Sequence, residues 1–215
     1  MVFLRMTDFV PKSACYVFHK TGFFQYNVTQ DKIPSDIKIS LNTSDSPVRW
    51  AIPQIANLYP NMMMQINLNT TAPPKLKFTS GKVGVTVKGG IAAYIAQPNK
   101  SLTYLFTLGA TINVNASISF RKADLIWNSS FEGADLKLLH TEVDDFKVDY
   151  LRSMVPFACK MFIIPEINKR GKKGVPLPSF RDYAFVNPIV KLKKGLLKIG
   201  TGIRYQKNWL LDPNE

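Results

Sequence analysis

Hydrophobic and polar residues alternate without interruption from Leu108 to Phe120. The even positions all carry apolar side chains, and the odd positions all carry glycine or a polar residue. A period of two sustained over this length predicts a long antiparallel strand with one buried face and one face towards water.

Shorter stretches with the same character lie on both sides of this strand. Turn residues separate them at Ala72-Pro73-Pro74, Gly89-Gly90, Gln97-Pro98-Asn99 and Glu132-Gly133. A further pair flanks Lys193-Lys194-Gly195 and predicts a hairpin. The predicted strands cover residues 63–69, 82–88, 90–97, 125–131, 134–140, 184–193 and 196–206.

Three other segments have the spacing of amphipathic helices, at residues 9–20, 47–58 and 148–169. The longest sets Leu151, Val155 and Cys159 on one apolar stripe, which continues to Phe162 and Ile163. Pro156 and Pro165 are expected to kink it or divide it. The predicted fold is therefore α+β: a highly twisted antiparallel sheet wrapped around one long and one or two shorter helices, in a single domain over residues 1–215.

Positive charge is concentrated in the last third of the chain. The net charge of +13 favours an acidic partner. Residues 147–207 hold 14 Lys and Arg against 3 Asp and Glu, whereas residues 1–146 hold 14 against 10. A candidate basic surface comprises Lys169, Arg170, Lys172 and Lys173.

This basic surface has three interpretations: a nucleic-acid patch, a membrane-facing tip, or the solvated end of a helix. No recognised nucleic-acid-binding pattern accompanies it, so nucleic acid is not expected as a partner. The Gly and Pro residues of "GKKGVPLPSF" are expected to end the long helix around Gly171 and Gly174.

Six tripeptides fit the N-glycosylation rule and favour a secreted glycoprotein. They begin at Asn27, Asn42, Asn69, Asn99, Asn115 and Asn128. Charged residues and a proline interrupt the first eighteen residues, which therefore do not read as a signal peptide. A fragment or an N-terminally truncated isoform of a secreted protein is the expectation.

Signs of catalysis or of a metal site are weak. The chain lacks a Gly-x-Ser-x-Gly elbow, a phosphate-binding loop and a Cys-x-x-Cys pair, so an enzyme is not expected. His140 near Glu142 reads as a solvated strand end. Cys15 and Cys159 are compatible with a single bridge or with two free thiols, of which free thiols are the simpler reading.

Several separated stretches, in the right order, resemble the family of the bactericidal/permeability-increasing protein and the lipopolysaccharide-binding protein. They include "HKTGFFQYNVTQDKIPSDIKISLNTS", "NLYPNMMMQINLNTTAPPKLKF", "PEINKRGKKGVPLPSF" and "LLKIGTGIRY". The resemblance is to the C-terminal barrel of that family and extends from about residue 8 to residue 205. A less well-characterised member, of the BPI fold-containing B or C type, is expected rather than either founding protein.

The resemblance implies a tubular lipid-binding barrel with part of a central sheet, and no counterpart to the family's N-terminal barrel. It also implies a pocket for phospholipid between the long helix and the sheet, with no other cofactor. By position, the pocket candidates are Cys15, Phe18, Ile55, Ile112, Val114, Phe120, Val155, Cys159 and Phe162.

The function expected from the resemblance is a secreted lipid-binding or lipid-transfer module of innate, antimicrobial defence. It would hold acyl chains and contribute to binding lipopolysaccharide or an anionic membrane. The alternative is a scaffold that pairs with another barrel of this type through an exposed edge of the central sheet.

Overall fold

Two antiparallel sheets form the frame of the molecule. The computed structural model describes residues 2–33, 39–46, 48–99, 101–143, 148–176 and 183–205. The smaller sheet has the order β1-β10-β9, and the larger has the order β2-β3-β5-β6-β7-β8 with β4 also paired to β5. The strands are β1 Val2–Thr7, β2 Tyr26–Val28, β3 Met63–Thr70, β4 Lys75–Phe78, β5 Val83–Ala96, β6 Leu102–Arg121, β7 Asp124–Thr141, β8 Val175–Pro176, β9 Tyr183–Lys193 and β10 Leu196–Tyr205.

The described part of the chain contains five α-helices. They are α1 Phe9–Lys20, α2 Val48–Ala51, α3 Pro53–Leu58, α4 Val148–Ala158 and α5 Ile164–Lys173. Ile52 interrupts the predicted helix at 47–58 and divides it into α2 and α3. None of the described helices is both long and apolar enough to cross a membrane. This mixture of antiparallel strands and few helices confirms the predicted α+β class.

The alternating stretch is the central part of β6, which runs for 20 residues. The hairpin of β9 and β10 is also confirmed, with Lys193 opposite Leu196. Prediction missed β1, which pairs along its whole length with β10. Five of its six residues are exposed, so it has no alternation that could reveal it.

The predicted break at Gly89-Gly90 is wrong, because β5 continues through both glycines. They lie opposite Thr70 and Asn69 of β3. A Cβ on Gly89 would lie 2.4 Å from the Asn69 carbonyl oxygen, and one on Gly90 would lie 2.6 Å from Asn69 Oδ1. The two glycines therefore permit a close approach between strands rather than a turn.

The predicted break at Glu132-Gly133 is also wrong. Asn113 of β6 pairs with Gly133, and the next residue, Val114, pairs with Phe131, so Glu132 is the extra residue of a β-bulge in β7. The apolar face of β6 stays on even positions from Leu108 to Phe120. The bulge moves the matching face of β7 from odd positions, such as Phe131, to even positions, such as Leu136.

The long helical segment is continuous, but it changes from an α-helix to a π-helix and back. A π-helical turn, Cys159–Ile163, joins α4 to α5. This turn adds one residue, so the buried positions run Cys159, Ile164 and Gly171. Ile163, which the pattern placed on the apolar stripe, is consequently 45% exposed.

Gly171 does not end this segment, contrary to expectation. It is buried inside α5, and the helix ends after Lys173 with Gly174 at a positive φ of 79°, which favours glycine. The predicted Leu177-Pro178 step lies outside the described residues.

Apolar side chains form two buried clusters. Cluster 1 joins α2, α3 and α4 to the part of the large sheet around Ile95, Leu105 and Leu108. Cluster 2 joins the small sheet to β4 and β5, through Phe78, Val83, Leu192, Leu197 and Ile199. The apolar face of β6 passes from cluster 1 to cluster 2.

Candidate functional site

From Val85, which packs against cluster 2, towards cluster 1, the apolar face of the sheet is only half-buried. Three neighbouring strands contribute six residues to this region, which we call the apolar band. The band consists of Val85, Val87, Ile112, Val114, Phe131 and Ala134, all of them half-buried. Leu108 and Ala110 of β6, which belong to cluster 1, are buried.

Cross-strand pairing makes the band continuous with β4. Leu76 pairs with Val85, Val85 with Val114, and Val114 with Phe131. At a strand spacing of about 4.8 Å, this row of four apolar side chains extends for about 14 Å. Lys160, in the π-helical turn, places its Nζ 5.5 Å from the centre of the Phe131 ring.

An open groove begins where this row ends at Leu76. The groove has a volume of about 660 Å³ and is lined by Asp8, Lys12, Leu76, Lys77, Phe78, Thr79, Ser80, Lys194 and Gly195. Its apolar floor, Leu76 and Phe78, belongs to cluster 2 or packs against it. Its rim combines three lysines with one aspartate.

Backbone and side-chain hydrogen bonds hold the three walls of the groove in place. The Asp8 amide donates to the Gly195 carbonyl at 3.0 Å, which joins the start of α1 to the β9–β10 turn. Asp8 also binds Lys12 Nζ at 2.6 Å. At the third wall, the Thr79 amide donates to the Lys82 carbonyl at 2.9 Å. Lys77 and Lys194 also line the groove, and the carboxylate of Asp8 is engaged by Lys12.

The predicted pocket residues do not gather at one point. Ile55 is fully buried in cluster 1, and Val155 packs against that cluster. Ile112 and Val114 belong to the apolar band, and Phe120 packs against cluster 2. Together these residues follow the sheet from one cluster to the other.

The remaining candidates lie on the helices. Cys159 is buried and Cys15 is half-buried, and neither forms a disulfide. Phe18 is 43% exposed and stacks on Phe23 at the end of α1. The Phe162 side chain lies outside the described set.

The groove was missed by sequence reasoning. Its lining comes from the start of α1, from β4 with the following turn, and from the β9–β10 turn, which are far apart in sequence. Single lysines on such segments carry no spacing signal. The only available sign was the excess of positive charge.

The candidate basic surface is exposed at the C-terminal end of α5. Lys169, Arg170, Lys172 and Lys173 all face solvent, and Arg170 approaches Glu166 at 3.6 Å. Cations in a last helical turn interact favourably with the helix dipole. The geometry is therefore compatible with a solvated helix end and with a surface for anions.

The six glycosylation candidates differ in exposure. Asn27, Asn69, Asn99 and Asn128 are exposed, whereas Asn42 and Asn115 are half-buried. Asn99 Oδ1 accepts hydrogen bonds from the amide and the hydroxyl of Ser101. Their glycosylation remains a prediction.

The described residues contain no group of three or more His, Cys, Asp or Glu side chains able to hold a metal ion. His140 Nε2 lies 2.7 Å from Glu142 Oε1, and both side chains are exposed. Asp144 and Asp145, which the sequence places nearby, lie outside the described residues.

Comparison with known proteins decides the family. The model of the "LBP / BPI / CETP family, C-terminal domain" matches residues 1–205. The chain belongs to this family. It is 29% identical to the bovine (Bos taurus) lipopolysaccharide-binding protein and 30% identical to the bactericidal permeability-increasing protein of Sebastes schlegelii, covering 95% of this chain in both cases.

The chain spans less than half the length of these relatives, 42% and 43% respectively. A crystal structure of lipopolysaccharide binding protein matches the fold with a TM-score of 0.71 at 23% identity, over 96% of this chain and 44% of that one. The BPI-like fold and the family resemblance are therefore confirmed. The finer assignment to the B or C type stays a prediction.

Proposed function

We propose that this chain is a secreted lipid-binding module of innate defence. The observation that carries the proposal is the continuous apolar row from Leu76 to Phe131, which starts at a groove rimmed by Lys12, Lys77 and Lys194. An apolar row with cations at one end has the two chemistries of a phospholipid: acyl chain and phosphate. The names of its relatives, lipopolysaccharide-binding and bactericidal permeability-increasing, agree with a lipid of this kind.

Acyl chains would bind along the apolar band, where burial of each methylene is worth about 0.8 kcal/mol. This interaction needs apolar area rather than particular polar groups, which agrees with the absence of a recognisable motif. The phosphate would lie near Lys77 and Lys194. Lipopolysaccharide also carries acyl chains and phosphate, so the same arrangement would contribute to binding it.

The test is extraction of lipid from the chain purified from secretory cells, followed by mass spectrometry. We expect about one phospholipid per chain. The double variant Val85→Thr/Val114→Thr keeps side-chain size but makes the row polar, and it should retain less lipid. Val175→Thr, at an exposed valine on β8, is the matched control. Reproducibly lipid-free wild-type protein would overturn the proposal.

The rim is tested separately with Lys77→Gln/Lys194→Gln. This variant should bind fewer anionic lipids relative to zwitterionic ones, because two cations beside the phosphate are lost. Lys88→Gln/Lys137→Gln removes the same charge from exposed positions outside the groove lining. Equal lipid profiles in the two variants would show that the rim lysines do not bind the lipid headgroup.

A second candidate function is a scaffold that pairs with another barrel. The observation in its favour is β1, which forms one edge of the small sheet and exposes Val2, Phe3 and Leu4. Unpaired edges readily recruit partner strands. A monomer in sedimentation velocity across a wide concentration range would argue against self-pairing.

A further inference from the structure

The C-terminal end of α1 has a tightly specified geometry. The Gly22 amide donates to the His19 carbonyl at 3.2 Å, and the Phe23 amide donates to the Phe18 carbonyl at 3.0 Å. Gly22 has φ 73°. These are the hydrogen bonds and the left-handed glycine of a Schellman motif. The motif holds the Phe23 ring on the Phe18 ring, with centroids 4.9 Å apart.

The chain segment around this pair carries more aromatic rings than the motif requires. We call Tyr16, Phe18, Phe23, Phe24 and Tyr26 the aromatic end. Phe24 makes edge contacts with both Phe18 and Phe23. Tyr16 and Tyr26 are each 54% exposed, and Phe23 is 67% exposed. A Schellman motif accounts for the contact between Phe18 and Phe23, but it does not account for the third packed ring, Phe24, or for two exposed tyrosines in the same segment of the chain.

Lysines lie directly over two of these rings. Lys20 Nζ lies 5.8 Å from the centre of Tyr16, and Lys32 Nζ lies 5.3 Å from the centre of Tyr26. Residues 9–33 contain three lysines and one acidic residue, Asp31. The aromatic end is therefore both apolar and positively charged.

Aromatic rings next to lysines suit the interface of an anionic bilayer. Such rings settle at the level of the headgroups, and nearby lysines interact with the lipid phosphates. A second copy of the chain fits less well, because two positively charged segments would repel each other. A contiguous exposed apolar patch on a soluble domain commonly marks an interaction site.

We propose that the aromatic end docks this protein on anionic phospholipid bilayers. This goes beyond the binding of one lipid molecule in the apolar band, since the contact is with the surface of a membrane and lies on different residues. Phe23 and the two tyrosines enter the headgroup region, while Lys20 and Lys32 contact phosphates.

A glycan at Asn27 is compatible with this docking. Asn27 lies between Tyr26 and Val28 in β2, and Val28 packs against cluster 1. Successive side chains of a strand point to opposite faces, so Asn27 points away from the face shared by Tyr26 and Val28.

Vesicle flotation of the intact chain tests the proposal. The vesicles contain phosphatidylcholine alone or phosphatidylcholine with phosphatidylglycerol. The wild type should float with the anionic vesicles, and Phe23→Ser should weaken this partition roughly tenfold by removing the most exposed ring of the aromatic end. Leu139→Ser is the matched control, because Leu139 is 58% exposed on β7. Equal partition of Phe23→Ser and wild type would overturn the proposal.

A charge variant and a solution measurement complete the test. Lys20→Gln/Lys32→Gln should lower binding to anionic vesicles towards the value for phosphatidylcholine alone, with the thermal unfolding midpoint unchanged. Wild-type partition in this variant would contradict the role of charge.

Sedimentation velocity tests the alternative that a second copy of the chain covers the aromatic end. Self-association that Phe23→Ser abolishes would assign the aromatic end to pairing of chains and reject the membrane proposal. Lipid retention by the apolar band should stay unchanged in these variants, which separates this proposal from the proposed function.

Discussion

Gly171 lies inside α5, where this helix packs directly against Trp127 of β7. A Cβ there would lie 2.3 Å from the Trp127 carbonyl oxygen and 2.8 Å from Trp127 Nε1. The sequence pattern suggested that this glycine ended the helix. Its actual role is to let a helix and a strand approach each other.

Replacement of Gly171 by alanine should therefore separate α5 from β7. We expect a loss of about 1–3 kcal/mol in the free energy of unfolding, the usual cost of overpacking. Denaturant unfolding measures it. Gly133→Ala is the control, since no atom lies within 4 Å of a Cβ there. Equal stability of the two variants would contradict the close contact.

The two thiols should react slowly with alkylating agents. Burial raises the pKa of both Cys15 and Cys159, so less thiolate is present at a given pH. Cys15 should react first, because Cys159 is only 2% exposed. Timed alkylation at pH 8 with mass spectrometry measures both rates, and the denatured chain is the reference. Faster labelling of Cys159 would contradict the structure.

The same shift has a consequence for stability. Above the ordinary thiol pKa, the unfolded chain loses these protons before the folded chain does. The contribution of the thiols to stability is therefore complete below that pKa and falls as the pH rises through it.

At the scale of elements, one side chain fastens a helix to a strand. Asn168 of α5 accepts a hydrogen bond from the Ser129 amide at 2.6 Å and donates one to the Ser129 carbonyl at 2.9 Å. Ser129 is buried in β7. The amide of Asn168 thus takes the place of a neighbouring strand at this position.

Asn168→Leu should cost about 1–3 kcal/mol, because it leaves a buried amide and a buried carbonyl without partners. Hydrogen exchange at the Ser129 amide should accelerate in this variant. Asn168→Asp, which can still accept from the amide but cannot donate to the carbonyl, should fall between wild type and leucine. Unchanged exchange in the leucine variant would show that the contact does not protect the strand.

The sequence predicted those elements in which apolar side chains recur at one constant spacing. β6 was recognisable because its apolar residues stay on even positions from Leu108 to Phe120. The bulge at Glu132 and the π-helical turn at Cys159 each add one residue, and a periodic pattern cannot anticipate such an insertion. For this reason β7 looked like two strands, and Ile163 looked buried.

The candidate site was partly predictable for the same reason. Ile112 and Val114 lie on the regular strand and do belong to the apolar band. The groove depends on Lys12, Lys77 and Lys194, which only the tertiary fold brings together. In the sequence, the aromatic end was visible only as the stretch "GFFQY". This stretch has no periodic pattern of apolar and polar residues that would identify an exposed surface.

At the scale of the whole molecule, positive charge is spread over separate surfaces. The groove rim, the aromatic end and the basic surface of α5 all carry lysines. Their contributions to binding an anionic membrane can be separated by neutralising one surface at a time.

Neutralising Lys169, Arg170, Lys172 and Lys173 with glutamine tests the basic surface. If it contacts anionic lipid, vesicle binding should weaken by about 1 kcal/mol per cation, and its dependence on salt should decrease. The control replaces Lys75, Lys82, Lys88 and Lys137, four exposed lysines on or next to the strands of the large sheet, and changes net charge equally. Equal vesicle affinities in the two variants would identify the basic surface as a solvated helix end.

The bulge in β7 also constrains how the length of this strand can vary during evolution. Glu132 is the single residue that brings Phe131 and Ala134 to the same face of the sheet. Deleting it alone would rotate every side chain on one side of the deletion to the opposite face, a far larger change than replacing it. Insertions and deletions in β7 should therefore be tolerated in pairs, or at a turn, while the identity of residue 132 is free to drift.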